Sequence, residues 1–257
     1  MDGEGVRMGR IVVADGQVQR QARCQVLCLD KDGLLFDSAT FWQALWHQRE
    51  CAIGHVLPAE GLSRLKPLLG VDSTGEIDGN GPLALAFPRD EVAIAAAVLY
   101  ATTGTSWDAA LRLMEQAFTS ADASLNLHAA LKPLPGFPEI IYRAKRAGIK
   151  VAIVTSDDEQ RTKNSMELFA VYSMIDFICT PANVNRGKPY PDMLLHVAAH
   201  FGVHVNDLVM VGDSLVDVEM ANNAGAVGIA VPPSERIRDF HAELVVPSLD
   251  DIHISSF

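Results

Sequence analysis

The sequence is poor in cysteine and in basic side chains, and each shortage argues against a class of function. Its four cysteines form no CxxC pair and have no histidines at zinc-ligand spacing, which favours buried free thiols in a reducing compartment over a disulfide framework or a zinc site. Lysine and arginine number 21 against 32 acidic residues, giving a net charge of −11 at pH 7. This charge disfavours a general nucleic-acid or anionic-membrane binder, because phosphate groups would be repelled. A small phosphorylated substrate remains compatible, since one local cationic pocket can outweigh a diffuse acidic surface.

Long hydrophobic runs are also missing from the sequence. The stretch AIAAAVLYA is too short to cross a bilayer, so we expect no membrane-spanning segment. The first residues, MDGEGVRMGR, contain no apolar signal core, and we therefore expect no export and a cytoplasmic location. Met1 and Met8 are both candidate starts. A hydrophobic content of 49% with 21% charged residues is that of an ordinary folded globular chain.

Apolar runs alternate with amphipathic helical patterns along much of the chain. Helical patterns lie before the second and fourth runs and after each of them. This alternation predicts an α/β fold with a mainly parallel sheet wrapped by helices. A small hairpin is predicted over residues 11–18, around an Asp-Gly turn. The five apolar runs occupy residues 24–30, 150–156, 176–180, 207–213 and 226–231.

The segment from residue 39 to 131 breaks this alternation and contains helical patterns without a good strand. Ser38, Pro88 or Asp90, and Ser106 are suited to begin helices in it. We therefore predict a helical insert at 39–131. The rest would form an α/β core from 1–38 and 132–257, in which 1–22 is an N-terminal hairpin extension.

Polar residues follow three of the predicted strands. The first strand ends in Asp30-Lys31-Asp32-Gly33, the second in Thr155-Ser156-Asp157-Asp158, and the fourth in Gly212-Asp213-Ser214 with Asp217 one helical turn on. Ligands of open parallel sheets bind at these carboxyl ends. The predicted cluster of carboxylates cannot stay charged and unpaired, and oxygen ligands without His or Cys favour Mg²⁺ over zinc or copper. Magnesium commonly shares its ligands with phosphate oxygens, which suggests a phosphorylated substrate.

Four motifs in this order resemble those of the haloacid dehalogenase superfamily. They are Asp30-Lys31-Asp32-Gly33, Thr155, Lys188-Pro189-Tyr190-Pro191-Asp192 and Gly212-Asp213-Ser214-Leu215-Val216-Asp217. The resemblance runs from about residue 24 to the C-terminus apart from the insert. It implies a Rossmann-like core with strand order 3-2-1-4-5 and a helical cap inserted after the first motif. The segment 131–157 and the end of the chain look like the phosphoglycolate phosphatase-like branch, and the β-phosphoglucomutase-like members are its closest rival.

The resemblance also implies roles for individual residues. Asp30 would be the nucleophile that forms an aspartyl phosphate, and Asp32 the general acid and then the general base. Lys188 would neutralise charge on the phosphoryl group and on Asp30. Mg²⁺ would be held by Asp30, the backbone carbonyl of Asp32, and Asp213, with Asp217 acting through a bound water or by orienting Lys188. The implied phosphate-binding residues are Gly33, Thr155, Ser156 and Lys188.

The residues at two positions of this chain distinguish a phosphatase from superfamily members that catalyse other reactions. Dehalogenases carry a bulky non-acid, and phosphonoacetaldehyde hydrolases an alanine, where this chain has Asp32, so Asp32 favours phosphate monoester chemistry. The β-phosphoglucomutase-like members read D-T-A-x-x-H where this chain has Asp37 to Trp42, so Trp42 replaces the histidine and disfavours a mutase without excluding it. A catalytically silent phospho-ligand-binding protein is a third alternative, disfavoured because every core motif residue is present.

The substrate is not defined by the motifs, and a small phosphorylated metabolite of phosphoglycolate type is suggested by resemblance alone. Arg64, Lys66 and Arg89 are candidate contacts for a substrate carboxylate, and the loop 73–82 is a candidate specificity loop. Asp157 and Asp158 are interpreted as acids at a helix start without a catalytic role. The sequence leaves the oligomeric state undefined.

Overall fold

The structure is a computed structural model, and it describes residues 8–15, 18–79, 81–233 and 244–256. The first seven residues, which include Met1 and most of the segment behind the export prediction, lie outside the described residues. The strands are β1 (Gly9–Asp15), β2 (Val18–Cys24), β3 (Val26–Leu29), β4 (Lys150–Val154), β5 (Phe177–Cys179), β6 (Leu208–Gly212), β7 (Val227–Ala230), β8 (Leu244–Val245) and β9 (Ile252–Ser256).

Ten α-helices lie between these strands in the part of the chain that is described. None of them is both long and apolar enough to serve as a transmembrane span. They are α1 (Ser38–Gly54), α2 (Ala59–Leu68), α3 (Pro82–Leu85), α4 (Pro88–Thr103), α5 (Trp107–Ser124), α6 (Leu127–Ala130), α7 (Glu139–Arg146), α8 (Glu159–Leu168), α9 (Asp192–Phe201) and α10 (Leu215–Ala224).

A parallel six-stranded sheet has the order β5-β4-β3-β6-β7-β8. The predicted order 3-2-1-4-5 is confirmed for the five apolar runs, and β8 adds a strand that the sequence analysis missed. β3 and β6 consist of buried residues throughout, as expected for central strands covered on both faces. The strand order changes direction between β3 and β6, which is where ligands of open α/β sheets bind.

A second sheet is antiparallel and has the order β2-β1-β9. The hairpin predicted over residues 11–18 is present but longer, because each of its strands has seven residues. Residues 16 and 17, at its tip, lie outside the described residues. Strand β9, from the end of the chain, pairs with β1 in a register that places Ile254 opposite Ile11. This long-range pairing gives the hairpin a third strand that no local pattern indicates.

The chain divides into two compact units, one of them Ser38–Lys132 and the other formed by the residues on either side. The inserted unit is helical, with one isolated bridge between Val71 and Ile77 among its described residues. Helix α1 begins at Ser38 and α4 at Pro88, where capping and proline signals were noted. Ser106 occupies the N-cap position of α5, although its side chain makes no capping hydrogen bond.

A buried arginine lies within the apolar core of the inserted unit. Arg49, on α1, is 1% exposed and forms ion pairs with Glu91 on α4 and Asp122 on α5. Its Nε donates to Oδ1 of Asp122 at 2.9 Å, and its guanidinium lies 4.7 Å from the centre of the Phe118 ring. One side chain therefore joins three helices. The buried position of Arg49 could not be predicted from the sequence, because an arginine on a helix gives no local sign of distant acidic partners.

Replacing Arg49 with methionine is expected to lower the free energy of unfolding by about 3 kcal/mol, because the buried Glu91 carboxylate would lose its counter-ion. Urea unfolding of the whole protein measures this change.

The matched control is Arg64→Met, which removes an exposed arginine paired with Glu60 one helical turn away. It should leave the free energy of unfolding within about 0.5 kcal/mol of the original. Equal losses in the two variants would contradict a stabilising role for the buried arginine.

Candidate active site

Asp30 lies directly after the central strand β3. Its N–H donates to the carbonyl oxygen of Val211 at 3.0 Å, so pairing with β6 continues beyond the last residue of the strand. The register places Leu29 beside Ile153 of β4 and Val211 of β6. The polar residues that follow these three strands therefore lie at one edge of the sheet, as the sequence analysis predicted.

Three carboxylates and one ammonium group meet at this edge. Asp30, Asp213 and Asp217 each offer one carboxylate oxygen within 4.8 Å of the others. The Nζ atom of Lys188 lies 2.8 Å from Oδ1 of Asp30 and 2.6 Å from Oδ1 of Asp217. The Lys188 side chain is only 4% exposed, so both ion pairs are shielded from water. The pairing with Asp217 is the geometry expected if Asp217 orients Lys188.

Two glycines leave the space that these carboxylates occupy. A Cβ atom on Gly33 would lie 2.0 Å from Oδ2 of Asp213, and the φ of Gly33 is +87°, in the left-handed region that favours glycine. A Cβ atom on Gly212 would lie 2.3 Å from Cγ of Asp217. Both positions therefore require glycine for a steric reason. The N–H of Gly33 donates to the carbonyl of Phe36 at 2.8 Å, so a phosphate contact there would have to break this bond.

The cluster carries more negative than positive charge. With all groups ionised, one ammonium faces three carboxylates, a net charge of −2. Burial, together with the neighbouring Asp217, raises the pKa of Asp30 to about 7 despite the opposing effect of Lys188. Burial and the carboxylates of Asp30 and Asp217 raise the pKa of Asp213 well above its ordinary value. Burial disfavours the Lys188 ammonium, but Asp217 and Asp30 outweigh it and raise the pKa of Lys188.

A divalent cation fits this donor set, because two positive charges would balance the excess and all donors are oxygens. Asp30 and Asp213 are the direct candidate ligands. Both oxygens of Asp217 are already engaged, Oδ1 by Lys188 and Oδ2 by the backbone N–H and hydroxyl of Ser214. An indirect contribution of Asp217 fits these contacts. Ligation by the backbone carbonyl of Asp32 stays a prediction.

A second charged cluster surrounds Asp32. The Nζ atom of Lys31, which is fully buried, lies 2.6 Å from Oδ1 of Asp32 and 2.9 Å from Oδ2 of Asp157. Arg161, on α8, donates from Nε to Oδ1 of Asp157 at 2.7 Å. Two cations and two carboxylates balance here. Asp32 is therefore set apart from Asp30 by its charge environment as well as by position.

The interpretation of Asp157 as an ordinary helix-start acid is wrong. Asp157 is 5% exposed, and Lys31 and Arg161 outweigh the effect of burial and hold its pKa well below the usual range. Asp158 does cap α8, because its Oδ1 accepts from the N–H of Arg161. Two signals could have found the network: a lysine between two acids at a buried strand end, and an arginine four residues after Asp157, in the first turn of the helix that follows.

The remaining predicted phosphate-binding residues follow β4. Thr155 is 2% exposed, its N–H donates to the carbonyl of Cys179, and its Oγ1 accepts from the N–H of Asp157 at 3.1 Å. Ser156 is half-buried. Both lie at the edge where Asp30 lies, because β4 is the neighbour of β3, and their contact with phosphate stays a prediction.

The three predicted substrate-binding cations of the inserted unit each have an acidic partner of their own. Arg64 pairs with Glu60, Lys66 with Glu50 and Arg89 with Asp90. Residue 80 of the loop 73–82 lies outside the described residues. At the start of this loop, the N–H groups of Thr74 and Glu76 donate to the carboxylate of Asp72, the residue just before it. These contacts are internal to the unit, so a role in substrate binding stays a prediction for all of them.

A parallel α/β sheet with this constellation at its switch point is typical of hydrolases that act through an aspartate nucleophile. The model of the haloacid dehalogenase-like hydrolases matches residues 24–225, and the protein belongs to this family. The resemblance drawn from the four motifs is thereby confirmed.

Similar curated proteins share part of the chain. A phosphoglycolate phosphatase of Thiobacillus denitrificans is 30% identical over 143 residues, which cover 53% of this chain and 63% of that protein. A phosphonoacetaldehyde hydrolase of Bacillus cereus is 33% identical over 111 residues, 40% of this chain and 40% of that protein. The chain thus spans less than two thirds of the length of either relative.

Solved structures share the fold over most of the chain. A predicted phosphoglycolate phosphatase of Haemophilus somnus has a TM-score of 0.64 at 16% identity, covering 89% of this chain and 96% of that one. A β-phosphoglucomutase of Clostridium difficile has a TM-score of 0.54 at 18% identity, covering 88% and 92%. At these identities the likeness shows the fold.

Replacing Asp213 with asparagine should raise the thermal unfolding midpoint of the metal-free protein near pH 7. An unfolded Asp213 is ionised there, whereas the folded site raises its pKa, so the native carboxylate costs stability above the unfolded pKa and its removal recovers that cost. Adding Mg²⁺ should raise the midpoint of the original protein but not that of the variant, because only the original keeps the ligand. Differential scanning calorimetry with and without Mg²⁺ measures both effects.

Asp158→Asn is the matched control, since it removes an acid at the same sheet edge and asparagine also caps helices well. The Mg²⁺-induced shift should persist in it. A shift that survives in Asp213→Asn would contradict the assignment of Asp213 as a ligand.

Proposed function

We propose that this protein is a Mg²⁺-dependent phosphatase that hydrolyses a small phosphate monoester through an aspartyl phosphate on Asp30. One observation carries the proposal: Asp30 and Asp32 occupy two differently charged clusters at the switch point of the sheet. Burial raises the pKa of both carboxyl groups; Lys188, together with a bound Mg²⁺, would favour the ionised form of Asp30 for attack, whereas Asp32, outside that cluster, can hold a proton. Two carboxylates with different roles are what a two-step phosphoryl transfer requires.

In the first step, a carboxylate oxygen of Asp30 forms a bond to phosphorus, and the bond between phosphorus and the leaving-group oxygen breaks. Asp32 donates its proton to that oxygen, so the leaving group departs as an alcohol. Lys188, placed against Asp30, neutralises charge on the phosphoryl group, and the hydroxyl of Thr155 donates to a phosphoryl oxygen.

In the second step, a water molecule attacks the phosphorus of the aspartyl phosphate. Asp32, now a carboxylate, takes the proton of this water, and the bond between phosphorus and the Asp30 oxygen breaks. The products are inorganic phosphate and the starting form of the enzyme. Bound Mg²⁺, held by Asp30 and Asp213, would supply neutralisation of the phosphoryl charge and of the excess carboxylate charge.

The proposed substrate class is small phosphorylated acids, and phosphoglycolate is the first compound to test. The support is the likeness to the phosphatase of Thiobacillus denitrificans, whose name gives that substrate. The net charge of −11 supports small substrates over nucleic acid, and a cytoplasmic location belongs to the same proposal.

Three alternatives are disfavoured by particular residues. A phosphonate hydrolase, suggested by the Bacillus cereus relative, needs no acid at the position of Asp32. A phosphomutase is disfavoured by Trp42 in place of the histidine of that branch. A silent binding protein is disfavoured by the intact ion pair of Lys188 with Asp30. Incubation with a sugar phosphate separates a mutase from a phosphatase, since a mutase yields an isomer and a phosphatase yields inorganic phosphate.

Asp30→Asn should abolish phosphate release from 4-nitrophenyl phosphate, because the amide is not a nucleophile. Asp32→Asn should lower phosphate release from phosphoglycolate by about 10² to 10⁴, the usual contribution of a general acid. Both activities should require Mg²⁺. Steady-state phosphate release from purified protein measures them.

Asp158→Asn again serves as the control and should keep the original rates, since its side chain caps α8. Mg²⁺-dependent turnover that persists in Asp30→Asn would rule out the aspartyl phosphate.

A further inference from the structure

Lys31 is the least expected side chain at the site, because it lies between the two key acids and is fully buried. Its ammonium group contacts Asp32 on one side and Asp157 on the other. Arg161 holds Asp157 in turn, through Nε at 2.7 Å and through Nη2 at 2.6 Å, both to Oδ1. The four side chains form one chain of ion pairs from α8 to the end of β3. No step of the proposed reaction uses Lys31, Asp157 or Arg161.

Stability alone gives a weak reason for such a network. Taking an ammonium group fully out of water is costly, and apolar residues of similar volume often stabilise a protein as well as a buried ion pair does. Buried ionic groups are better explained where they fix a specific arrangement. The arrangement fixed here is that of Asp32, because Lys31 holds its Oδ1 at 2.6 Å and the carboxylate can turn only by breaking that pair. The other oxygen, Oδ2, is thereby held in one position.

We infer that Lys31, anchored by Asp157 and Arg161, is a positioning residue that orients the Asp32 carboxylate for proton transfer to the leaving group. This inference rests on the proposed phosphatase function. The two lysines nearest the acids then have different roles, because Lys188 faces the nucleophile and the phosphoryl group, whereas Lys31 faces the proton-transfer residue. Lys31 acts through Asp32 and has no assigned contact with substrate.

The inference predicts a dependence on the leaving group. Phenolate is a much more basic leaving group than 4-nitrophenolate, so phenyl phosphate needs a proton from Asp32 and 4-nitrophenyl phosphate needs it far less. The phosphoryl group is the same in the two substrates. A loss of general electrostatic stabilisation, or of folded protein, would therefore lower both rates by the same factor. A misplaced Asp32 would lower the rate with phenyl phosphate more.

The experiment measures kcat/KM for both substrates in Lys31→Met, because this constant reports the step in which the leaving group departs. The ratio of phenyl to 4-nitrophenyl phosphate should fall about tenfold or more, part of the 10² to 10⁴ that a general acid contributes. In an Asp32→Asn background, Lys31→Met should leave the ratio unchanged, since there is no carboxyl group left to position. The ratio within one variant is independent of the amount of folded protein.

Lys145→Met is the matched control, because it removes a lysine that pairs with Asp176 at 2.7 Å in the same unit. It should leave the ratio at its original value. Should Lys31→Met fail to fold, Asp157→Asn keeps Lys31 but weakens its anchor and should shift the ratio in the same direction.

Equal losses for the two substrates in Lys31→Met, or a ratio that still falls in the Asp32→Asn background, would overturn the positioning role while leaving the phosphatase intact. Absence of Mg²⁺-dependent turnover of either substrate by the original protein would overturn the proposed function and this inference with it.

Discussion

The organisation of the site depends on how negative charge is shared out at the end of one buried strand. Asp30 and Asp32, which are separated by one residue, would repel each other in a low-dielectric environment. Each of them therefore needs its own source of positive charge. The structure gives them separate sources. Asp30 faces Lys188 in a cluster with a net charge of −2, while Asp32 faces Lys31 in a balanced one. The first cluster is left with the charge that a divalent cation would neutralise, and the second is complete without one.

The parallel sheet makes this division possible by bringing distant parts of the chain to one edge. Asp157 comes from the end of β4, and Asp213 from the end of β6. The carboxylates can approach one another only because Gly33 and Gly212 have no side chains. A methyl group at either position would occupy the place of an acid, so the glycines are part of the site although they carry no chemistry.

Local patterns were sufficient to predict most of the fold. The five apolar runs, the helices between them and the helical insert all follow from periodicity and capping signals, and the strand order followed from the family motifs. The antiparallel pairing of β9 with β1 was missed because it joins segments far apart in sequence, and the edge strand β8 was missed because its two residues are too few to form a pattern. The meeting of Asp30, Asp213, Asp217 and Lys188 at one edge could be predicted because their motifs occur in order, and their roles stay predictions. Lys31, Asp157 and Arg49 were misread or passed over for one shared reason: a buried charge is recognised by its partner, and the partners lie on other elements.

The charge division also explains how two identical side chains can have opposite roles. A nucleophile has to be ionised when substrate arrives, and Lys188, whose pKa is raised by Asp217 and Asp30 against the effect of burial, supplies a permanent positive charge beside Asp30. A general acid has to hold a proton first and release it later. Burial raises the pKa of Asp32, and Lys31 limits that rise, so the carboxyl group can exist in both forms during one cycle. Lys31 therefore faces the proton-transfer residue from within a separate, balanced cluster, where its charge is already matched by Asp32 and Asp157.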